Sequence, residues 1–255
     1  MPRLKVTMAY DGTEFHGWQR QGSGSDQPRT VQSCLERTLF QLSGRNISVH
    51  GAGRTDAGVH AEGQAAHFDV PEDKLNLPWL RALNALLPED VAALAVEQVP
   101  DDFHARFQAL EKLYAYSICL SQAALPLRRR YVWRTGPLDL AAMKAAAREF
   151  IGSRDFAAFQ NRGTPVKSAV RNLTEISCLE SELVRGYKEA VFLFRADGFL
   201  KQMVRNIMGC LVAVGRGGLK VSDVAALLEG RERSEAPATA PAKGLVLKEV
   251  IYRPE

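Results

Sequence analysis

At 255 residues, 46% of them apolar and with a net charge of only +4, the chain has the composition of a globular protein with one large domain or two modest ones. No apolar run approaches the length of a membrane span, and the opening Met1-Pro2-Arg3-Leu4-Lys5-Val6-Thr7 alternates polar with apolar, without a signal peptide's apolar centre. Cys34, Cys119, Cys178 and Cys210 form no C-x-x-C pair, so they are expected to be reduced thiols of a cytoplasmic protein, not zinc ligands or a disulfide frame.

Residues 3–10 alternate, with Leu4, Val6 and Met8 on one side and Lys5 and Thr7 on the other, which predicts a half-buried strand. A turn follows at Tyr10–Arg20, then a loop over Gln21–Pro28 whose glycines and serines predict mobility. Thr30 is the expected N-cap of a helix carrying Val31, Cys34, Leu35, Thr38, Leu39 and Leu42, closed by Gly44. A strand is expected over 46–52 and another over 64–70, then a helix from Pro78 to Leu86 and a strand over 91–99.

A crossover at Pro100–Ala105 suggests a division into halves at 1–104 and 105–255, because similar element types recur beyond it. A strand is expected over 109–120, with Tyr114, Tyr116 and Ile118 on one face. Asp139 caps a helix closed by Gly152, and strands follow near 170–179 and 189–196. An amphipathic helix is expected from Phe199, with Leu200, Met203, Val204, Ile207, Met208, Leu211 and Val212 on its apolar face. Ser222 caps a short helix ending at Gly230, and the last strand covers about 245–252. This mixture lacks strict β-α-β alternation. It predicts an α+β fold, two β-rich halves with mainly antiparallel pairing, helices on one face and a cleft between the halves.

The stretch with the clearest chemistry is Gly51-Ala52-Gly53-Arg54-Thr55-Asp56-Ala57-Gly58-Val59-His60-Ala61. It sets one carboxylate, Asp56, in a loop with almost no side-chain bulk, where glycine permits unusual backbone angles and close approach of a ligand. Arg54 lies two residues earlier; in an extended segment both side chains share a face. An Arg held there favours the ionised, oriented carboxylate, a state suited to nucleophilic attack. The competing reading is an ordinary Asp-Gly turn. Four arginines, Arg128, Arg129, Arg130 and Arg134, are interleaved with Tyr131 and Trp133. They read either as phosphate contacts beside base-stacking rings or as a solvated basic loop. A metal-dependent hydrolase using His50, Asp56, His60, His67 and Asp69 matches no ligand spacing such as H-E-x-x-H. A non-catalytic RNA-binding module fits the basic loop but leaves the Arg54–Asp56 pair unexplained.

Six stretches in order extend the Asp56 motif: Tyr10-Asp11-Gly12-Thr13 with Gly17-Trp18-Gln19; Gly53–Ala61; Phe103–Phe107 with Tyr114 and Tyr116; Gly152–Phe156; Met203–Gly209; and Ala240–Leu245. Together they resemble the tRNA pseudouridine synthases of the TruA type over nearly the whole chain. The resemblance implies the pseudouridine synthase fold, with two pseudo-symmetric halves. It also implies a homodimer acting on tRNA, with uridines 38, 39 and 40 of the anticodon stem-loop as targets. Asp56 matches the catalytic aspartate and Arg54 its ion-pair partner. Tyr114 matches the tyrosine that packs on the target base, with Tyr116 as an alternative on the same strand face. Arg205 falls on a second active-site arginine, and Leu245 on an apolar pocket residue. Gln202 departs from the pattern where histidine is frequent, as do Glu111 and Leu113 where basic residues are common.

The implied reaction breaks the N1–C1′ bond of uridine, turns the base and joins C5 to C1′. It is redox-neutral, so no cofactor and no metal are expected. A target base that leaves the helix stack costs a few kcal/mol, which an aromatic partner offsets in part. Lys201, Arg128, Arg129, Arg130 and Arg134 are the expected phosphate contacts.

Overall fold

A computed structural model of the chain describes residues 1–22, 27–123, 125–161, 166–182, 186–229 and 232–253. Residues 23–26 of the expected mobile loop and Gly230, the expected end of the last short helix, lie outside the described residues.

The first elements in order are β1 (Arg3–Tyr10), α1 (Val31–Ser43), β2 (His50–Gly51), β3 (His60–Asp69), α2 (Trp79–Leu86) and β4 (Val91–Val99). Next come β5 (Glu111–Cys119), β6 (Trp133–Arg134), α3 (Leu140–Ala147), β7 (Gly152–Asp155), β8 (Val170–Glu182) and β9 (Lys188–Ala196). The chain closes with α4 (Met203–Gly215), α5 (Val221–Leu228) and β10 (Leu245–Ile251). They form two compact units, Met1–Leu110 with Val246–Glu255, and Glu111–Leu245. Among the described residues, no helix is long and apolar enough to cross a membrane.

In the first unit β1 lies between β3 and β4, antiparallel to both. β3 also pairs antiparallel with β2 and in parallel with β10, at Val246 opposite His60 and Leu247 opposite Ala61. In the second unit β9 lies between β5 and β8, antiparallel to both. β7 pairs antiparallel with β8, and the two-residue β6 runs parallel to β5. Each unit is thus α+β on a mostly antiparallel sheet.

Local physics accounts for most boundaries. Leu4, Val6, Met8 and Tyr10 alternate inward along β1. Thr30 caps α1 through its hydroxyl, which accepts from the Ser33 N–H, and Gly44 ends it in the left-handed conformation. Asp139 caps α3 by accepting from the Ala142 N–H at 2.9 Å. In the second unit Phe150, Phe156 and Phe159 are fully buried, with the Phe150 and Phe159 centroids 5.0 Å apart and the rings edge to face. Burying each such side chain contributes roughly 1.5–3 kcal/mol.

Four expectations change. The strand expected over 46–52 shrinks to β2, because side chains of α1 take up the backbone of Val49. Gln32 Nε2 donates to its carbonyl at 3.1 Å, and its N–H donates to Glu36 Oε1 at 3.2 Å. β3 begins at His60 because that end pairs with β10. Helix α4 begins at Met203, after Gln202 takes a left-handed turn with φ 60°, which no α-helix continues through. Helix α5 is capped from Lys220, not Ser222: the Asp223 carboxylate accepts the Lys220 N–H at 3.0 Å.

Candidate active site

The Asp56 loop is held by its main chain. The Trp18 N–H donates to the Thr55 carbonyl at 3.1 Å, the Gly58 N–H to Phe15 O at 3.2 Å, and the Val59 N–H to Asp56 O at 3.1 Å. The Tyr10 and Thr55 hydroxyls are 2.8 Å apart and buried. Burial pushes the Tyr10 phenol up to about 12, so it stays neutral. Gln64, also fully buried, donates to Gly53 O at 2.9 Å. On the far side the segment 16–18 is tied to α1: Val31 N–H donates to Gly17 O at 3.2 Å and Gln32 N–H to Trp18 O at 3.0 Å. The motif Tyr10–Gln19 is therefore a brace between β1, the start of α1 and the Asp56 loop.

Close approach explains two of its glycines. A Cβ on Gly12 would lie 2.0 Å from Val59 O, and one on Gly17, whose φ is +91°, would lie 2.6 Å from Thr55 O. His60 follows the loop and is buried, with Nδ1 3.0 Å from the Gly12 N–H it accepts and 3.1 Å from Asp11 Oδ1. Asp56 is half-buried and Arg54 exposed. The Arg54 Nε donates to Gln19 Oε1 at 3.1 Å.

In the second unit Tyr114 and Tyr116 point to one side of β5 and are both buried. The Tyr116 side chain is fully buried, its hydroxyl donates to Pro241 O at 2.7 Å, and a Cβ on Gly244 would lie 2.6 Å from its ring. Burial also raises its phenol pKa far above the usual range. Tyr114 keeps 7% exposure, and its ring meets Phe199 edge to face at 5.1 Å. Leu245 is buried at the first position of β10, just after the turn Ala242–Gly244.

Arg205 sits in the first turn of α4, half-buried. Its Nε donates to Ala240 O at 2.8 Å, and the Ala240 N–H donates back to Arg205 O at 3.1 Å. Of the expected phosphate contacts, Arg128 is engaged within the protein, gripping the buried Glu189 carboxylate through two bonds of 3.0 and 2.8 Å. Arg129, Arg130, Arg134 and Lys201 are exposed. Arg129 donates to Pro126 O and Arg134 to Gln122 O.

His50, His67 and His104 form a ring cluster of their own, with centroids 5.1 Å (50–67), 4.7 Å (67–104) and 5.9 Å (50–104) apart. Among the described residues no three His, Cys, Asp or Glu side chains are arranged to hold a metal ion. His67 Nδ1 accepts the Ala105 N–H at 3.1 Å, a bond that requires the unprotonated nitrogen. Burial, then the neighbouring His104 and Arg3 charges, lower its pKa from 6.5 to about 4. The unfolded chain therefore binds a proton that the folded one refuses between these values. Stability should fall on acidification from about pH 6.5 towards pH 4, by up to about 1.4 kcal/mol per pH unit from this group. Thermal midpoints measured at about pH 7 and pH 4.5 should drop less for His67→Gln than for the wild type; parallel curves would remove His67 from the account.

The sequence model of the family described as "tRNA pseudouridine synthase" matches residues 6–108 and 146–253. The chain is 54% identical to a protein named tRNA pseudouridine synthase A from Solidesulfovibrio magneticus, over 99% of this chain and 92% of that one. It is 46% identical to one of the same name from Nitratidesulfovibrio vulgaris, strain Hildenborough, over 100% and 98%. Against another of that name from Latilactobacillus sakei the identity is 42%, over 98% and 99%. With a braced aspartate loop in one unit and an anchored tyrosine and arginine in the other, this chain belongs to the tRNA pseudouridine synthase A family, isomerases that convert uridine to pseudouridine in tRNA.

Proposed function

We propose that this isomerase acts as a homodimer on uridines 38, 39 and 40 of the tRNA anticodon stem-loop, with Asp56 as its nucleophile and the target base flipped out of the stack. The observation that carries the reading is the Asp56 loop. Its backbone is tied on both sides to the 15–18 brace, so the stretch of chain that carries the carboxylate is fixed by main-chain bonds. Preorganisation of this kind lowers the cost of reaching the reactive geometry.

The carboxylate attacks C1′ or C6, or acts as a base at C2′. In each route the N1–C1′ bond breaks, a C5–C1′ bond forms, the proton on C5 passes to solvent, and N1 takes a proton up. Tyr114 supplies a face on which the flipped base stacks, offsetting part of the unstacking cost, and Leu245 an apolar wall. Arg205 supplies a fixed positive charge for the base or the sugar-phosphate. Arg54, Arg129, Arg130 and Lys201 contact phosphates, and Arg128 stays with Glu189. In a tRNA transcript carrying tritium at C5 of uridine, the enzyme should release label. A transcript with cytidine at positions 38 to 40 should release none; undiminished release would overturn the assignment of the site in tRNA.

A further inference from the structure

The reading of Arg205 as an active-site residue leaves open what holds it in place, and the second unit contains an unusual device beside it. Arg233 uses all five of its N–H groups inside the protein. Nε donates to Asn161 Oδ1 at 3.0 Å, Nη1 to Ala236 O and Pro237 O at 3.0 Å each, and Nη2 to Asn206 Oδ1 at 3.0 Å and Thr239 Oγ1 at 2.9 Å. None of the five acceptors is a carboxylate. A half-buried cation given only neutral partners is costly, so its use here rests on shape. A planar guanidinium directs five donors along fixed lines, which an ammonium cannot do.

Those lines converge on the residue next to Arg205. Asn206 is fully buried and fully used. Its Nδ2 donates to Phe159 O at 2.7 Å and to Asn161 Oδ1 at 3.0 Å, and its Oδ1 also accepts from Thr239 Oγ1 at 2.7 Å. Asn161 in turn bonds the side chain of Gln202, the left-handed residue that starts α4. The segment 236–240 is pressed onto the helix one turn later, where a Cβ on Gly209 would lie 2.0 Å from Ala238 O. It ends at Ala240, whose carbonyl accepts the Arg205 Nε.

We infer that Arg233 is a positioning residue for the isomerisation: it locks the segment 236–240 and Asn206 together, and so sets the carbonyl and the helix turn that aim Arg205. The inference rests on the reading of Arg205 above and goes beyond it. Removing the fork loosens the Ala240 carbonyl, and Arg205 then samples orientations unproductive for the chemical step. tRNA binding, spread over many phosphate contacts, is little changed.

The test is a double-mutant cycle read by tritium release, with kcat and KM measured well below the thermal midpoint of every variant. Arg233→Lys should lower kcat at least tenfold and leave KM for tRNA within twofold. Arg205→Lys alone should also lower kcat at least tenfold, and adding Arg233→Lys to it should change kcat by less than twofold. Thr239→Val, which deletes one acceptor of the fork and one donor to Asn206, should show a smaller loss of kcat with the same non-additivity, and carries the test if Arg233→Lys does not fold. Independent multiplication of the two effects, or a fall in thermal midpoint with kcat intact, overturns the role of Arg233 while leaving Arg205 in place. Unchanged kcat in Arg205→Lys overturns the reading of Arg205 and the inference with it.

Discussion

Asp56→Asn should fold, bind tRNA and lose turnover by roughly three orders of magnitude or more, the scale expected when a reaction loses its nucleophile. The substitution keeps the size and shape of the side chain and removes its charge and nucleophilicity. The main-chain bonds of the loop are untouched by it: the Thr55 carbonyl still accepts from Trp18, the Asp56 carbonyl from Val59, and Phe15 O from Gly58. The thermal midpoint should therefore stay close to that of the wild type. Tyr114→Phe is the companion variant. It keeps the ring that meets Phe199, so it should retain turnover if Tyr114 only stacks and lose it if the hydroxyl moves a proton. Tritium release by Asp56→Asn within tenfold of the wild-type rate would show that another group performs the chemistry.

Gly17→Ala should be among the most damaging changes of a single methyl group in the chain. Two penalties coincide. The residue sits at φ +91°, and its new Cβ would lie 2.6 Å from Thr55 O and 3.2 Å from both Ala57 N and the Asp56 carbonyl carbon. The backbone cannot retreat easily, because Gly17 O accepts the first N–H of α1 and Trp18 N–H is held by Thr55. We expect a stability loss of about 2–4 kcal/mol, the scale of backbone strain joined to overpacking. Turnover should fall even at temperatures where the variant is folded, since the displaced atoms carry Asp56. Gly44→Ala is the control. It has φ +71° at the end of α1 with no atom within 4 Å of a Cβ, so it should cost only about 1 kcal/mol for the backbone. Equal losses at the two positions would show that contact with the Asp56 loop is irrelevant.

The elements legible in the sequence were those whose pattern follows from the residues alone. β1 was readable end to end because its buried face carries its own alternation, and α1 because Thr30 and Gly44 mark its ends chemically. β7 was not, since Gly152–Asp155 is mainly exposed and polar and pairs with β8 on one side only. Nothing in a polar tetrapeptide announces a partner strand. The shortening of β2 was equally hidden, because it depends on Gln32 and Glu36 reaching Val49 from a helix that precedes it by many residues.

The candidate site divides the same way. The sequence alone determined the position of Asp56, the low bulk around it and the family to which these motifs belong, because a glycine-flanked carboxylate is a local property written in consecutive residues. The tertiary structure decided the partners. It gave Arg54 to Gln19 and Arg128 to Glu189. It locked Tyr116 under Pro241 and Gly244 and set Tyr114 against Phe199, and it assembled Arg233, Asn161, Asn206 and Thr239 into one network beside Arg205. Each of these joins residues far apart in the chain through directional bonds a few ångströms long. Such bonds exist only once packing has fixed both ends, and no periodicity or spacing along the chain encodes them.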